Sequence, residues 1–167
     1  MVKAPKAELP SDVVNVDSRS EDPVVGMLSN FAETPIELDG EWYASVEAFW
    51  QAIKFPEGSA EREQVAQMTA PNAKRAGAAV ETPLNIEYGG KLIAHGSPQH
   101  HYLARRALGA KFEQHEAARE ALLETGDREL THVLYDSDGN LIPDSWSLPA
   151  RVFTSHLVEI RDELKAV

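Results

Sequence analysis

Ser45-Val46-Glu47-Ala48-Phe49-Trp50-Gln51-Ala52-Ile53-Lys54-Phe55 carries two helical stripes at once. Val46, Phe49, Trp50 and Ile53 recur at i, i+3, i+4 and i+7 and make an apolar stripe. Glu47, Gln51 and Lys54 recur at i, i+4 and i+7 and are wholly polar. Ser45 is placed to cap the helix, which puts Glu47 in the first turn. Free backbone N–H groups and the helix dipole favour an ionised carboxylate there. Pro56 ends the segment, because the residue before a proline is pushed out of the helical region. A carboxylate, an amide and an ammonium in a row suit a pocket for a small polar ligand. They equally suit a solvated helix face, and the stripe alone does not choose between them.

Upstream, Ile36-Glu37-Leu38-Asp39-Gly40-Glu41-Trp42-Tyr43 contains the Asp-Gly pair of a two-residue hairpin. Residues 24–31 read as a strand or extended entry that delivers Asn30 and Phe31. Residues 1–23 are polar and carry Pro5, Pro10 and Pro23. They read as a flexible N-terminal arm with a short strand at 13–16, ahead of a domain spanning 24–167. Downstream, residues 59–68 predict a charged helix, and Thr69-Ala70-Pro71 starts another that carries Lys74 and Arg75 and ends near Gly77. Residues 81–96 read as irregular, with a short strand at 92–94. Ser97-Pro98 opens a long helix whose apolar side is Leu103, Ala107, Leu108 and Phe112. A helix over 114–125 stops at Gly126, a strand follows at 130–135, and residues 136–140 form a turn. The closing helix, 151–165, turns Val152, Phe153, Leu157, Ile160 and Leu164 inward. These elements predict a single compact α+β domain, mainly helical with a few short strands.

Bulk properties narrow the function. The chain has 167 residues, enough for one domain with a core and hardly enough for two. Its net charge of −11 repels a phosphate backbone, which argues against broad nucleic-acid binding but leaves room for a local nucleotide pocket. The chain has no cysteine, so disulfides, thiolate metal sites and thiol nucleophiles drop out together. No apolar run approaches a membrane span, and residues 1–10 lack the apolar core of a signal peptide. A cytoplasmic location is the expectation.

Catalytic motifs are mostly missing. His100 and His101 would diverge by about 100° on a helix, and no His-Glu-x-x-His pattern occurs, so no metal site is expected. No Gly-x-Ser-x-Gly elbow is present, and His95-Gly96-Ser97-Pro98 reads as the cap of the helix after it. No phosphate loop of the Walker type occurs, and no cofactor is expected. Carboxylates remain: Glu47 first, for its position, then Asp136, Asp138 and Asp144, whose alternative reading is turn chemistry.

Ser29-Asn30-Phe31, the 45–55 helix, Ala73-Lys74 and Ala107-Leu108-Gly109-Ala110-Lys111-Phe112 follow in the order seen in the NADAR (YbiA-like) family, which the chain resembles from about Met27 to Leu164. The resemblance implies an N-glycosidase acting on ribose- or ADP-ribose-linked bases: phosphoribosylated pyrimidine intermediates of riboflavin synthesis in one branch, ADP-ribosylated guanine in another. It implies Glu47 as the essential carboxylate. Asn30, Lys54 and Lys74 match motif positions and are implied ligand contacts. Such a reaction passes through an oxocarbenium-like transition state that a carboxylate stabilises, and a second acid ordinarily assists. Asp138 or Asp144 would supply it. Phe31 and Trp50 are candidates to stack a base, and Gln51, His132, Trp146 and Arg151 complete the ligand-binding set. His132 stands where the family has Glu, and Ser147-Leu148-Pro149-Ala150-Arg151 replaces its glycine-rich loop. The alternative function is a nucleotide- or ADP-ribose-binding module with altered catalysis. Either way the expected partner is a small molecule.

Overall fold

A computed structural model describes residues 10–167; residues 1–9 lie outside the described part. The 45–55 segment forms α2, Val46–Ala52, and every residue in it is buried. Around it stand α3 (Ala60–Ala66), α4 (Ala70–Ala78) and α5 (Pro98–Gln114). Seven residues are too few for a helix that is stable by itself, so packing holds α2. Val46, Phe49 and Ile53 are core residues, and each such side chain contributes about 1.5–3 kcal/mol on burial. Tyr43 meets Phe49 edge to face with ring centroids 5.0 Å apart, and Tyr88 meets it likewise at 6.0 Å. The apolar stripe is therefore where the sequence puts it. The polar stripe is not a wet face, because Glu47 and Gln51 are as buried as the core.

The hairpin expected at 36–43 is present. Strands β2 (Ile36–Leu38) and β3 (Glu41–Tyr43) pair antiparallel, and both turn residues take positive φ, Asp39 at 52° and Gly40 at 83°. Asp39 is held there by a double hydrogen bond from the Arg106 guanidinium, at 2.7 and 2.6 Å, which ties the hairpin to α5. The closing helix α7 (Ala150–Lys165) buries Phe153, Leu157 and Ile160 against α5 and α6 (Glu116–Glu124). On α5, Leu103, Ala107, Leu108 and Phe112 are buried as expected, and so is Lys111, which the periodicity does not mark.

Four expectations need correction. Residues 23–28 form a helix, α1 (Pro23–Leu28), rather than an extended entry. Its signals were present: Asp22 accepts from the Val24 N–H at 2.9 Å, and Pro23 takes the first turn. Residues 81–96 hold a full hairpin, β4 (Asn85–Tyr88) with β5 (Lys91–Ala94), turned by Gly89 and Gly90 at φ 60° and 75°. The described end of the supposed arm is packed, not loose. Its β1 (Val13–Asn15) runs parallel to β6 (Glu129–Thr131), and Val14 and Val16 are buried. A parallel pairing between segments over a hundred residues apart leaves no local signature. Strand β6 is shorter than the 130–135 expectation, since the chain beyond it leaves the ladder.

Among the described residues the strands thus make three separate pairs, β1 with β6, β2 with β3 and β4 with β5, set around the helices. The architecture is α+β and mainly helical. Among the described residues no helix is long and apolar enough to cross a membrane.

Candidate active site

The polar edge of α2 is built by local rules. Ser45 Oγ accepts from the Ala48 N–H at 3.0 Å and fixes the first turn. The Glu47 N–H, free in that turn, donates to the Asn30 carbonyl at 3.1 Å. This bond stitches the Ser-Asn-Phe turn to the helix. One turn on, Gln51 Nε2 donates to Glu47 Oε1 at 2.8 Å, the i, i+4 pairing that the stripe allows. Glu47 is 8% exposed and Gln51 6%.

Lys54 follows in the turn after the helix, half-buried. Burial pushes the Glu47 carboxyl up from its ordinary value, while the Gln51 bond and the charges of Lys74 and Lys54 pull it back. Burial pushes the Lys54 ammonium down, and Glu47 resists that. Lys74, on α4, lies over the Phe31 ring with Nζ 5.4 Å from its centroid. Asn30 Oδ1 and Gln51 Oε1 are buried acceptors without a hydrogen-bond partner in the protein. Glu47, Gln51, Lys54, Lys74, Asn30 and Phe31 are thus brought together. So is Trp50, though it is buried and faces a ring rather than open space.

That ring is His100, stacked on Trp50 at 4.0 Å and 10°. His95 lies 4.6 Å from His100, and Trp146 stacks on His95 at 5.2 Å and 8°. Four rings form a ladder from the core to the surface, where Trp146 is 70% exposed. Gly96 makes the ladder possible. Its φ is +74°, its N–H donates to His100 Nδ1 at 2.9 Å, and a Cβ there would come within 3.1 Å of the Trp146 ring. Burial and the neighbouring charges push His100 down to about 3 and push His95 down as well, so both rings are neutral at pH 7. Lys54 contributes to both shifts, so the ladder adjoins the Glu47 edge. The sequence reading sets His100 aside as a poor metal pair and His95 as part of a helix cap, and gives neither a place at the site. The available signal was the Ser97 cap: it folds the helix start back over the preceding residues, and its Oγ accepts from the His100 N–H at 3.2 Å.

The remaining candidates serve other contacts. His132 Nδ1–H donates to the Val16 carbonyl at 2.7 Å, and its ring meets Phe153 edge-on at 5.0 Å. Asp138 sits in the 136–140 turn, where its N–H donates to Asp136 Oδ1 at 2.9 Å. Asp144 Oδ1 accepts from the Ala150 N–H at 2.8 Å and so serves the start of α7. Arg151 is exposed on the first turn of α7. The groups that shift Glu47 include no second carboxylate. Two grooves of about 580 and 570 Å³ run along α5 and α7, and neither is lined by any residue of the Glu47 cluster.

Comparison with known proteins gives the family of this fold. The family model described as Bacteriophage protein GP30.3 matches residues 23–162. N-glycosidase YbiA of Escherichia coli (strain K12) is 34% identical over 119 residues, which is 71% of this chain and 68% of that protein. N-glycosidase YbiA of Shigella boydii serotype 4 gives the same figures. The NMR structure of E. coli YbiA superposes with a TM-score of 0.65 at 28% identity, covering 92% of this chain and 85% of that one. The buried polar helix, its Ser-Asn-Phe turn and the surrounding α+β frame therefore belong to a member of the YbiA-like family, which the Bacteriophage protein GP30.3 model also describes.

Proposed function

We propose that the protein is a hydrolase that cleaves the N-glycosidic bond between a base or amine and ribose phosphate or ADP-ribose, with Glu47 as its essential carboxylate. One observation carries this reading: Glu47 is buried, held by Gln51 and flanked by two lysines. An ionised carboxylate is costly to bury and contributes little to folding there, whereas it is well placed to face developing positive charge. The family relationship to named N-glycosidases supports the same reaction class.

In the reaction the C1′–N bond breaks and the base leaves with the electron pair. Glu47 stabilises the cationic sugar and takes a proton from the attacking water, whose oxygen forms the new bond to C1′. The departing base needs a proton. Lys54, whose ammonium is made more acidic by burial, is a charged donor at the carboxylate's edge. Lys74 and Lys54 also suit the phosphates of the substrate. The outer end of the ring ladder, at Trp146, offers a flat surface to a base.

The test is release of free base from an N-ribosyl phosphate and from an ADP-ribosylated nucleoside, followed by chromatography. Turnover of either supports the reading. The absence of a second carboxylate among the groups acting on Glu47 favours a second reading, a binding module for ADP-ribose-type ligands. Binding of ADP-ribose without release of base from either substrate would select it. Under both readings Lys54→Ala weakens calorimetric affinity for ADP-ribose about tenfold, the scale of one charge-assisted contact, with little change in Tm. Unchanged affinity would remove Lys54 from the ligand site.

A further inference from the structure

Gly77 lies inside α4, where glycine is a poor choice. It costs a helix about 1 kcal/mol relative to alanine, and its φ here is not one that requires glycine. Something other than the backbone must account for it. A Cβ built at Gly77 would lie 1.8 Å from Gln51 Oε1, 2.8 Å from Gln51 Cδ and 3.3 Å from Gln51 Cβ. The first two distances are overlaps. Rotating the amide moves Oε1 away but leaves Cδ in collision, so the whole side chain would have to turn. Gln51 is buried and cannot turn without losing its 2.8 Å bond to Glu47.

We infer that Gly77 is a positioning residue: its missing side chain is the space in which the Gln51 amide lies when it holds Glu47. This rests on Glu47 being the site carboxylate, as proposed above. The inference assigns α4 two tasks, presenting Lys74 to the site and making room for Gln51 one turn later. It also accounts for the Gln51 amide orientation. Nε2 is committed to Glu47, so Oε1 must point to α4, and only a glycine accepts it there.

A four-member cycle tests this: wild type, Gly77→Ala, Gln51→Ala and the double variant, each measured for Tm and for kcat/KM of base release against pH. Gly77→Ala is expected to lower kcat/KM by roughly tenfold or more, the scale of one bond to a charged group. It is also expected to move the acid limb of the profile to higher pH, because the Gln51 bond is what most lowers the Glu47 carboxyl. In the Gln51→Ala background the same substitution is expected to change kcat/KM less than about twofold. Tm should fall less in that background, since the remaining 3.3 Å approach to Cβ is relieved by small shifts. Equal losses in both backgrounds, or no loss in the wild-type background, would overturn the inference. If Gly77→Ala alone fails to fold, recovery of folding in the double variant supports the inference, and failure of both counts against it. A wild type that releases no base sinks the N-glycosidase reading, and the Tm cycle still decides the Gly77–Gln51 coupling.

Discussion

Glu47→Gln lowers kcat/KM for base release by roughly 10³-fold, within the range that a positioned acid–base group supplies, while Tm stays level or rises. The amide is nearly isosteric, and its Oε1 still accepts from Gln51 Nε2. The fold therefore loses no hydrogen bond. The stability sign follows from the carboxyl's raised pKa. In the unfolded chain the group titrates near its ordinary 4.5, and in the folded protein it titrates higher. The stability it contributes is present below 4.5 and is lost as pH rises through the folded value. Above the folded value ionised Glu47 is a net burden on folding, and a neutral amide removes that burden. A carboxylate whose role is structural gives the opposite pattern, with stability and activity falling together. The same shift places the acid limb of kcat/KM above the ordinary carboxylate range. Thermal unfolding and a pH profile decide the matter. Turnover within tenfold of wild type would exclude Glu47 as the essential group.

Lys111 produces the other large effect, on stability. Its side chain is fully buried on α5, Nζ donates to the Ser29 carbonyl at 2.8 Å, and burial pushes its pKa from 10.5 down to about 7. Between those values the unfolded chain binds a proton that the folded protein does not. Stability therefore rises with pH over that window, by at most about 1.4 kcal/mol per unit and on the order of 5 kcal/mol in total. Below about 7 both states are protonated and the folded protein carries the whole cost of the buried charge. Lys111→Met is expected to abolish most of this slope. Denaturant midpoints measured from pH 7 to pH 9.5, below the range in which tyrosines ionise, give the slope for each protein. Parallel slopes would show that Lys111 does not titrate in this range. The variant also removes one of two hydrogen bonds to the Ser29 carbonyl, which keeps only the Ala32 N–H at 3.1 Å. Ser29 precedes Asn30, whose carbonyl holds the Glu47 N–H, so some turnover is expected to be lost with the anchor.

Much of the frame was legible because its signals are local. Ser45, Ser59 and Ser97 each cap the helix that follows, as their positions indicate, and Asp39-Gly40 makes its hairpin. The Asp22-Pro23 start of α1 is an equally local signal, set against the extended reading of residues 24–31. The β1–β6 pairing was not legible in this way. Its partners are joined only through the rest of the fold.

The sequence by itself determined the two stripes of α2, their spacing and the family to which the chain belongs, because helical periodicity and ordered motifs are properties of the chain alone. It left open whether Glu47, Gln51 and Lys54 face water or protein. That depends on which surfaces α3, α4 and α5 bring over the helix, and neighbours in space are not neighbours in sequence. Tertiary structure closed α4 over Gln51 at Gly77, set the His95–His100 rings beside Lys54, and gave Asp138 and Asp144 turn and helix-start duties. A carboxylate that reads as surface on a helical wheel is buried because three other helices exclude the water that would have solvated it.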